Sequence, residues 1–199
     1  VGRRIRMVLT DLGPTFVKLG QVLSVRPDIV PRDILDELEK LQDEVPPAPF
    51  EEVQAALEAE LGGPIEDRFS SFERMPMASA SIAQVHRALL PDGTEVAVKV
   101  QRPDIERRIR SDLHILYSLA QVVSGRLDLP GVYTPVGIVQ EFGAAIRQEL
   151  DFLQEARAAA RFRQNFEGDD AVTAPLIHRE LSTGRVLVME LFRGRRIGA

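Results

Sequence analysis

Val96-Ala97-Val98-Lys99-Val100-Gln101-Arg102-Pro103 is the stretch on which the fold turns. Its apolar residues alternate, so a strand here puts Val96, Val98 and Val100 on one face and Ala97 and Lys99 on the other. A small alanine beside a lysine leaves room for a flat ring and aims an ammonium at phosphates. Upstream, Pro91-Asp92-Gly93 separates this run from a second β-rich run over residues 81–90, and Asp-Gly between two such runs predicts a hairpin. Residues 69–75 read as a further extended segment. A lysine on a strand is most often a solvated edge residue, so the order of the surrounding elements has to carry the argument.

Beyond the lysine, Pro103 marks a helix start, and Ile105, Ile109, Leu113, Leu116 and Leu119 recur at helical spacing to about residue 123. Residues 127–133 read as a linker and 136–166 as one helical stretch. On that stretch Asp151 and Glu155 stand four apart and share a face. Glu155 is the carboxylate expected to hold Lys99, as a buried partner. Glu149 and Asp151 are two apart and fall on different sides of a continuous helix, so at least one of them is expected only to cap or pair locally. Two strands are then predicted, 174–179 and 185–190, joined by Ser182-Thr183-Gly184. The last has the position of a hinge strand, where Met189, Glu190 and Leu191 would offer backbone groups to an adenine ring. Strand, turn, lysine strand, glutamate helix, two strands and hinge is the order of the nucleotide-binding lobe of a protein kinase.

The N-terminal third is helical. Ile5, Val8, Leu9, Leu12, Phe16, Leu19 and Leu23 keep helical spacing, with Pro14 expected to kink or restart the helix. A Pro-containing joint over residues 26–31 leads to a second amphipathic helix with Ile34, Leu35, Leu38 and Leu41. Val45-Pro46-Pro47-Ala48-Pro49 is a stiff extended connector. A third helix, with Val53, Leu57 and Leu61, ends at Gly62-Gly63-Pro64.

Composition narrows the function classes. The chain has 199 residues, 44% hydrophobic and 28% charged, enough apolar content for a real core. The net charge of −5, with both signs mixed along the chain, argues against a nucleic-acid partner. Without cysteine there is no disulfide, thiolate metal site or cysteine nucleophile. His86, His114 and His178 lack metal-ligand spacing, and no metal-binding residues are assigned. No apolar run reaches the ~18–20 residues of a spanning helix. Arg193, Arg195 and Arg196 are expected in a solvated loop after the hinge. Both ends read as those of an excised segment.

An ordinary protein kinase carries a glycine-rich loop before its lysine. Here Met77-Ala78-Ser79-Ala80-Ser81-Ile82-Ala83-Gln84-Val85-His86 contains no glycine. Lys18-Leu19-Gly20-Gln21 resembles the KxGQ signature of the UbiB family of atypical protein-kinase-like proteins. Ala78-Ser79-Ala80-Ser81 is similar to its Ala-rich loop, with Ser79 where alanine is common. Val96 to Pro103 matches its lysine strand, and Glu149-Leu150-Asp151-Phe152 followed by Glu155-Ala156 resembles its ExD motif and helix glutamate. Val45-Pro46-Pro47-Ala48-Pro49-Phe50 also fits the family pattern.

The resemblance implies an α+β, protein-kinase-like N-lobe, an antiparallel sheet plus an αC-type helix, with an N-terminal helical extension over 1–63 and the lobe over 64–199. A helical insert is expected over about 103–147 and the C-lobe is expected to be absent. It implies ATP or ADP bound through Ala78, Ser79, Ala80, Ser81, Val85, Ala97, Lys99, Met189, Glu190 and Leu191, with magnesium held by residues outside this segment. Lys18 and Gln21 would gate access, with Lys18 meeting Glu149 and Asp151. The implied role is a kinase or ATPase serving ubiquinone or other isoprenoid-quinone synthesis, cytoplasmic, at the inner face of the membrane. Its expected partners are nucleotide, quinone precursors or biosynthetic proteins, and a peripheral membrane contact. The segment alone is expected to be inactive. A rival reading is a nucleotide-sensing scaffold that binds lipid precursors or biosynthetic partners without chemistry of its own. A true protein kinase ranks third, because the loop lacks glycine.

Overall fold

The structure, a computed structural model, describes residues 1–41, 45–124, 134–169 and 171–194. The linker expected over 127–133, and Arg195 and Arg196, lie outside the described residues. The chain divides into two compact units. The first comprises Val1–Pro46, Ala80–Ile82 and Asp104–Gln148; the second comprises Pro47–Ser79, Ala83–Pro103 and Glu149–Ala199.

The first unit is helical. Helix α1 (Gly2–Leu12) stops at Gly13, and α2 (Pro14–Ser24) starts at once with proline in its first turn. Gly13 has φ 102, a conformation open to glycine and costly for other residues. The restart expected at Pro14 is therefore made by the Gly13-Pro14 pair, glycine ending one helix and proline beginning the next. Helix α3 (Arg32–Leu38) completes a small core of Val17, Leu38 and Leu41, with Ile5, Leu9, Leu23 and Ile34 packed against it. Thr15, fully buried, donates its hydroxyl hydrogen to Asp112 at 2.5 Å, joining α2 to α5 (Ile105–Ser124).

The second unit holds the sheet. Helix α4 (Phe50–Leu61) ends at Gly62 in the left-handed conformation, φ 71. The strands are β1 (Ser71–Phe72), β2 (Ala78–Ser79), β3 (Ala83–Leu89), β4 (Glu95–Gln101) and β5 (Val186–Glu190). Their order is β1-β3-β4-β5, all neighbours antiparallel, with β2 also on β3. The predicted hairpin is β3–β4, with Asp92 Oδ1 accepting from the Thr94 N–H. Val96, Val98, Val100, Val186 and Val188 are all at most 1% exposed and face Val53, Leu57, Ile65 and Phe69. Those apolar side chains give one sheet face its core, by area removed from water.

Three sequence expectations change. The single helix over 136–166 is two, α6 (Pro135–Leu150) and α7 (Phe152–Asn165), because Asp151 leaves the helical region at φ −89, ψ 91 and caps α7. Residues 174–179 do not form a strand. They run beside β5 with one bridge, Ile177 to Met189, and turn back through a 3-10 turn at Arg179–Leu181. The extended segment at 69–75 shortens to β1, and the two-residue β2 at Ala78–Ser79 carries no alternation that would have announced it.

Candidate functional site

The face of the sheet opposite the valine core carries the predicted chemistry. Register places Val85 opposite Lys99, Lys99 opposite Leu187, and Ala97 opposite Met189. Directly opposed residues share a face, so Val85, Ala97, Lys99, Leu187 and Met189 form one surface. Ala78 pairs with Val85 and extends it.

Lys99 reaches α7. Its ammonium donates to Glu155 Oε2 at 2.5 Å and sits 4.6 Å from the centre of the Phe152 ring. Phe152 and Glu155 are three apart on α7 and therefore side by side, one below the ammonium and one beside it. The pair is not buried as expected: the side chains of Lys99 and Glu155 remain 22% and 46% exposed. An ammonium held this way is oriented yet still reachable by an anion. Phe152, fully buried, was not singled out from sequence. Its signal was an aromatic at the first helical position, three before the glutamate.

Asp151 accepts the Leu153 N–H at 3.2 Å, so its carboxylate caps α7. Glu149 is exposed near the end of α6. Ser79 Oγ accepts from the Arg102 guanidinium at 2.7 Å, and burial lowers the Arg102 pKa. Ala80 and Ser81 fall in the first unit, where the Ser81 hydroxyl is buried with no hydrogen-bond partner among the described residues. In the hinge segment the Glu190 N–H is already held by Leu176 O at 2.8 Å, and the Leu191 N–H reaches Glu95 O at 3.4 Å. Arg193 is paired rather than free, donating to Glu95 Oε2 at 2.7 Å.

Lys18 and Gln21 lie on α2 in the first unit. The Gln21 amide donates to Leu41 O at 3.3 Å, so it serves the packing of that unit. Gly20 is mid-helix and buried against Leu9, Leu38 and Leu41.

A recess of about 500 Å³ in the second unit, among Arg163, Phe166, Leu176 and Ile177, contains none of the predicted site residues. Among the described residues, no group of three or more His, Asp or Glu side chains is placed to hold a metal ion, and no helix is long and apolar enough to cross a membrane.

A lysine strand in an antiparallel sheet, tied to a glutamate on a later helix, is the arrangement of a kinase-like lobe. The model of the ABC1 atypical kinase-like domain matches residues 40–199, and the chain belongs to that family. It is similar to the probable protein kinase UbiB of Marinobacter nauticus, 43% identical over 193 residues, covering 97% of this chain and 35% of that protein. The probable protein kinase UbiB of Pseudomonas paraeruginosa is 46% identical over 193 residues, covering 97% and 36%. The chain thus spans about a third of the length of the curated relatives it matches. Among solved structures it resembles the Rv3197–erythromycin complex from Mycobacterium tuberculosis. The TM-score is 0.64 and the identity 32%, over 88% of this chain and 44% of that one. Only part of a kinase-like domain is present.

Proposed function

We propose that the protein, at its full natural length, is an atypical kinase-like ATP-binding protein. It would act as an ATPase or as a kinase of a small or lipid-linked molecule, supporting ubiquinone or related isoprenoid-quinone synthesis. The observation that carries the reading is the Lys99 ammonium, 2.5 Å from Glu155 on a half-open sheet face beside small Ala97. Lys99 holds the α- and β-phosphates, Glu155 orients Lys99, and Phe152 supports the ammonium from beneath. Ala78 and Ser79, with the chain continuing into Ala80 and Ser81, cover the phosphates. Val85, Ala97 and Met189 bound the ring, and Glu190 and Leu191 meet its edge, the N–H groups of both being already engaged.

Among the described residues no acidic or histidine cluster is placed to hold magnesium. Magnesium, which would neutralise phosphate charge, belongs with residues beyond this set. Residues 1–199 alone turn over no nucleotide in this reading. The protein works in the cytoplasm beside the membrane, where isoprenoid quinones and their precursors reside.

The test is ADP and ATP binding, with turnover, in the full-length protein and its Lys99→Ala variant. Loss of affinity by about tenfold or more is expected for removing a charged phosphate contact. Affinity and turnover equal to wild type in Lys99→Ala would sink the assignment. Nucleotide binding without turnover in the wild-type protein would favour the scaffold reading.

A further inference from the structure

Gln101 is buried, 7% exposed, at the end of the lysine strand. It stands two residues beyond Lys99 and therefore on the same face of β4. Its side-chain nitrogen donates to Leu150 O and, at 3.3 Å, to Gly184 O. Two carbonyl partners fix which end of the amide is nitrogen, since a carbonyl cannot donate. Leu150 is the last residue of α6, where terminal carbonyls have no partner within the helix. Gly184 O also accepts the Phe152 N–H at 3.0 Å, and the Gln101 N–H goes to Arg185 O at 3.0 Å. One side chain thus knots the end of α6, the start of α7 and the turn before β5 onto the lysine strand.

We propose that Gln101 is a positioning residue for the Lys99–Glu155 pair, setting the start of α7 so that Glu155 meets the ammonium. This rests on the nucleotide reading above for its functional meaning, but its geometry stands apart from it. An ion pair with one partner nearly half exposed holds a helix weakly. The register of α7 must therefore come from something firmer, and a buried amide that donates to the terminal carbonyl of α6 and shares Gly184 O with the Phe152 N–H is firmer. Phe152 begins α7 beside the knot, and Glu155 follows three residues later, on the side where Phe152 and Glu155 both face Lys99.

The experiment compares full-length wild type, Gln101→Met, Glu155→Gln and the double variant. Gln101→Met keeps length and removes the amide. The first readout is the rate at which Lys99 is acetylated by an amine-reactive ester, followed by mass spectrometry; the second is ADP affinity. Each single variant should speed Lys99 labelling by about tenfold, the effect of losing one charge-assisted hydrogen bond. The double variant should label no faster than the quicker single, because both act through one pair. ADP affinity should fall in parallel. Wild-type labelling in Gln101→Met beside faster labelling in Glu155→Gln overturns the proposal, as do gains that multiply in the double variant. Labelling unmoved by either variant overturns it too, since the pair would have no hold on the lysine. If labelling follows the expected pattern but ADP affinity never changes, the nucleotide reading fails and the positioning role stands. Should Gln101→Met fail to fold, Gln101→Asn, an amide one methylene short, carries the same comparison.

Discussion

A methyl group added to Gly20 would run into Leu41 Cδ1 and come within 2.9 Å of Leu9 Cδ1. Glycine at this place in Lys18-Leu19-Gly20-Gln21 thus lets α2 lie close to the side chains of Leu9 and Leu41 from the interior of the helix. Gly20→Ala gains helix propensity but overfills a small core, and overfilling costs about 1–3 kcal/mol. Urea unfolding should show a net loss of stability. An unchanged or raised midpoint would show that Leu9 and Leu41 move aside freely.

Asp151 caps α7 by accepting the Leu153 N–H. Replacing it with alanine should cost about 1 kcal/mol, the usual worth of a side-chain N-cap, while Asp151→Asn should lose much less. Equal losses in the two variants, measured by chemical denaturation, would mean that the charge of Asp151 matters more than its cap.

His86 is fully buried between Phe50 and Phe72. Nδ1 faces Glu73 O at 2.8 Å and Nε2 faces the Gln84 amide nitrogen at 2.8 Å, whose oxygen accepts the Ala48 N–H. The ring is therefore neutral, with its hydrogen on Nδ1. Nearby charges are Arg74, stacked on Phe50, and the Glu73–Arg87 pair. Burial is the main cause of a lowered His86 pKa; the bond to Glu73 O opposes it. The unfolded chain takes up the proton first, so this stability is complete above about 6.5 and is lost as pH falls below it toward the folded value. His86→Asn keeps a donor for Glu73 O and removes the titration. Its melting temperature should drop less than that of wild type between pH 7 and pH 5; parallel curves would contradict this.

Phe152→Leu keeps an apolar side chain beneath Lys99 and removes the ring face. A cation over a ring is worth about 0.5–1 kcal/mol at a partly exposed site, so ADP affinity should weaken by roughly two- to fivefold, alongside a lower melting temperature from trimming a fully buried ring. A loss as large as that of Lys99→Ala would assign Phe152 a wider role than support of the ammonium.

Much of this was legible in the chain itself. Alternation through Val96, Val98 and Val100 located both faces of β4, and Asp92-Gly93 located the hairpin, since both are properties of a few neighbouring residues. Periodicity could not see the break at Asp151, because apolar residues continue at helical spacing across it. The weak strand expected at 174–179 dissolves for a related reason: β-rich composition is satisfied by one bridge beside β5 and a tight turn. Sequence order named Glu155 as the expected partner of Lys99, but not how the chain would bring it there. Asp151 caps the start of α7, and the placement of that helix brings Glu155 to the ammonium.

The local order of the chain determined the strand, its two faces, the lysine and the class of lobe, because side-chain alternation and turn chemistry act over a few residues. Tertiary structure alone decided which groups meet Lys99 and Gln101. Their partners lie 56, 49 and 83 residues away, and only packed helices and strands can bring such distant groups within hydrogen-bond reach.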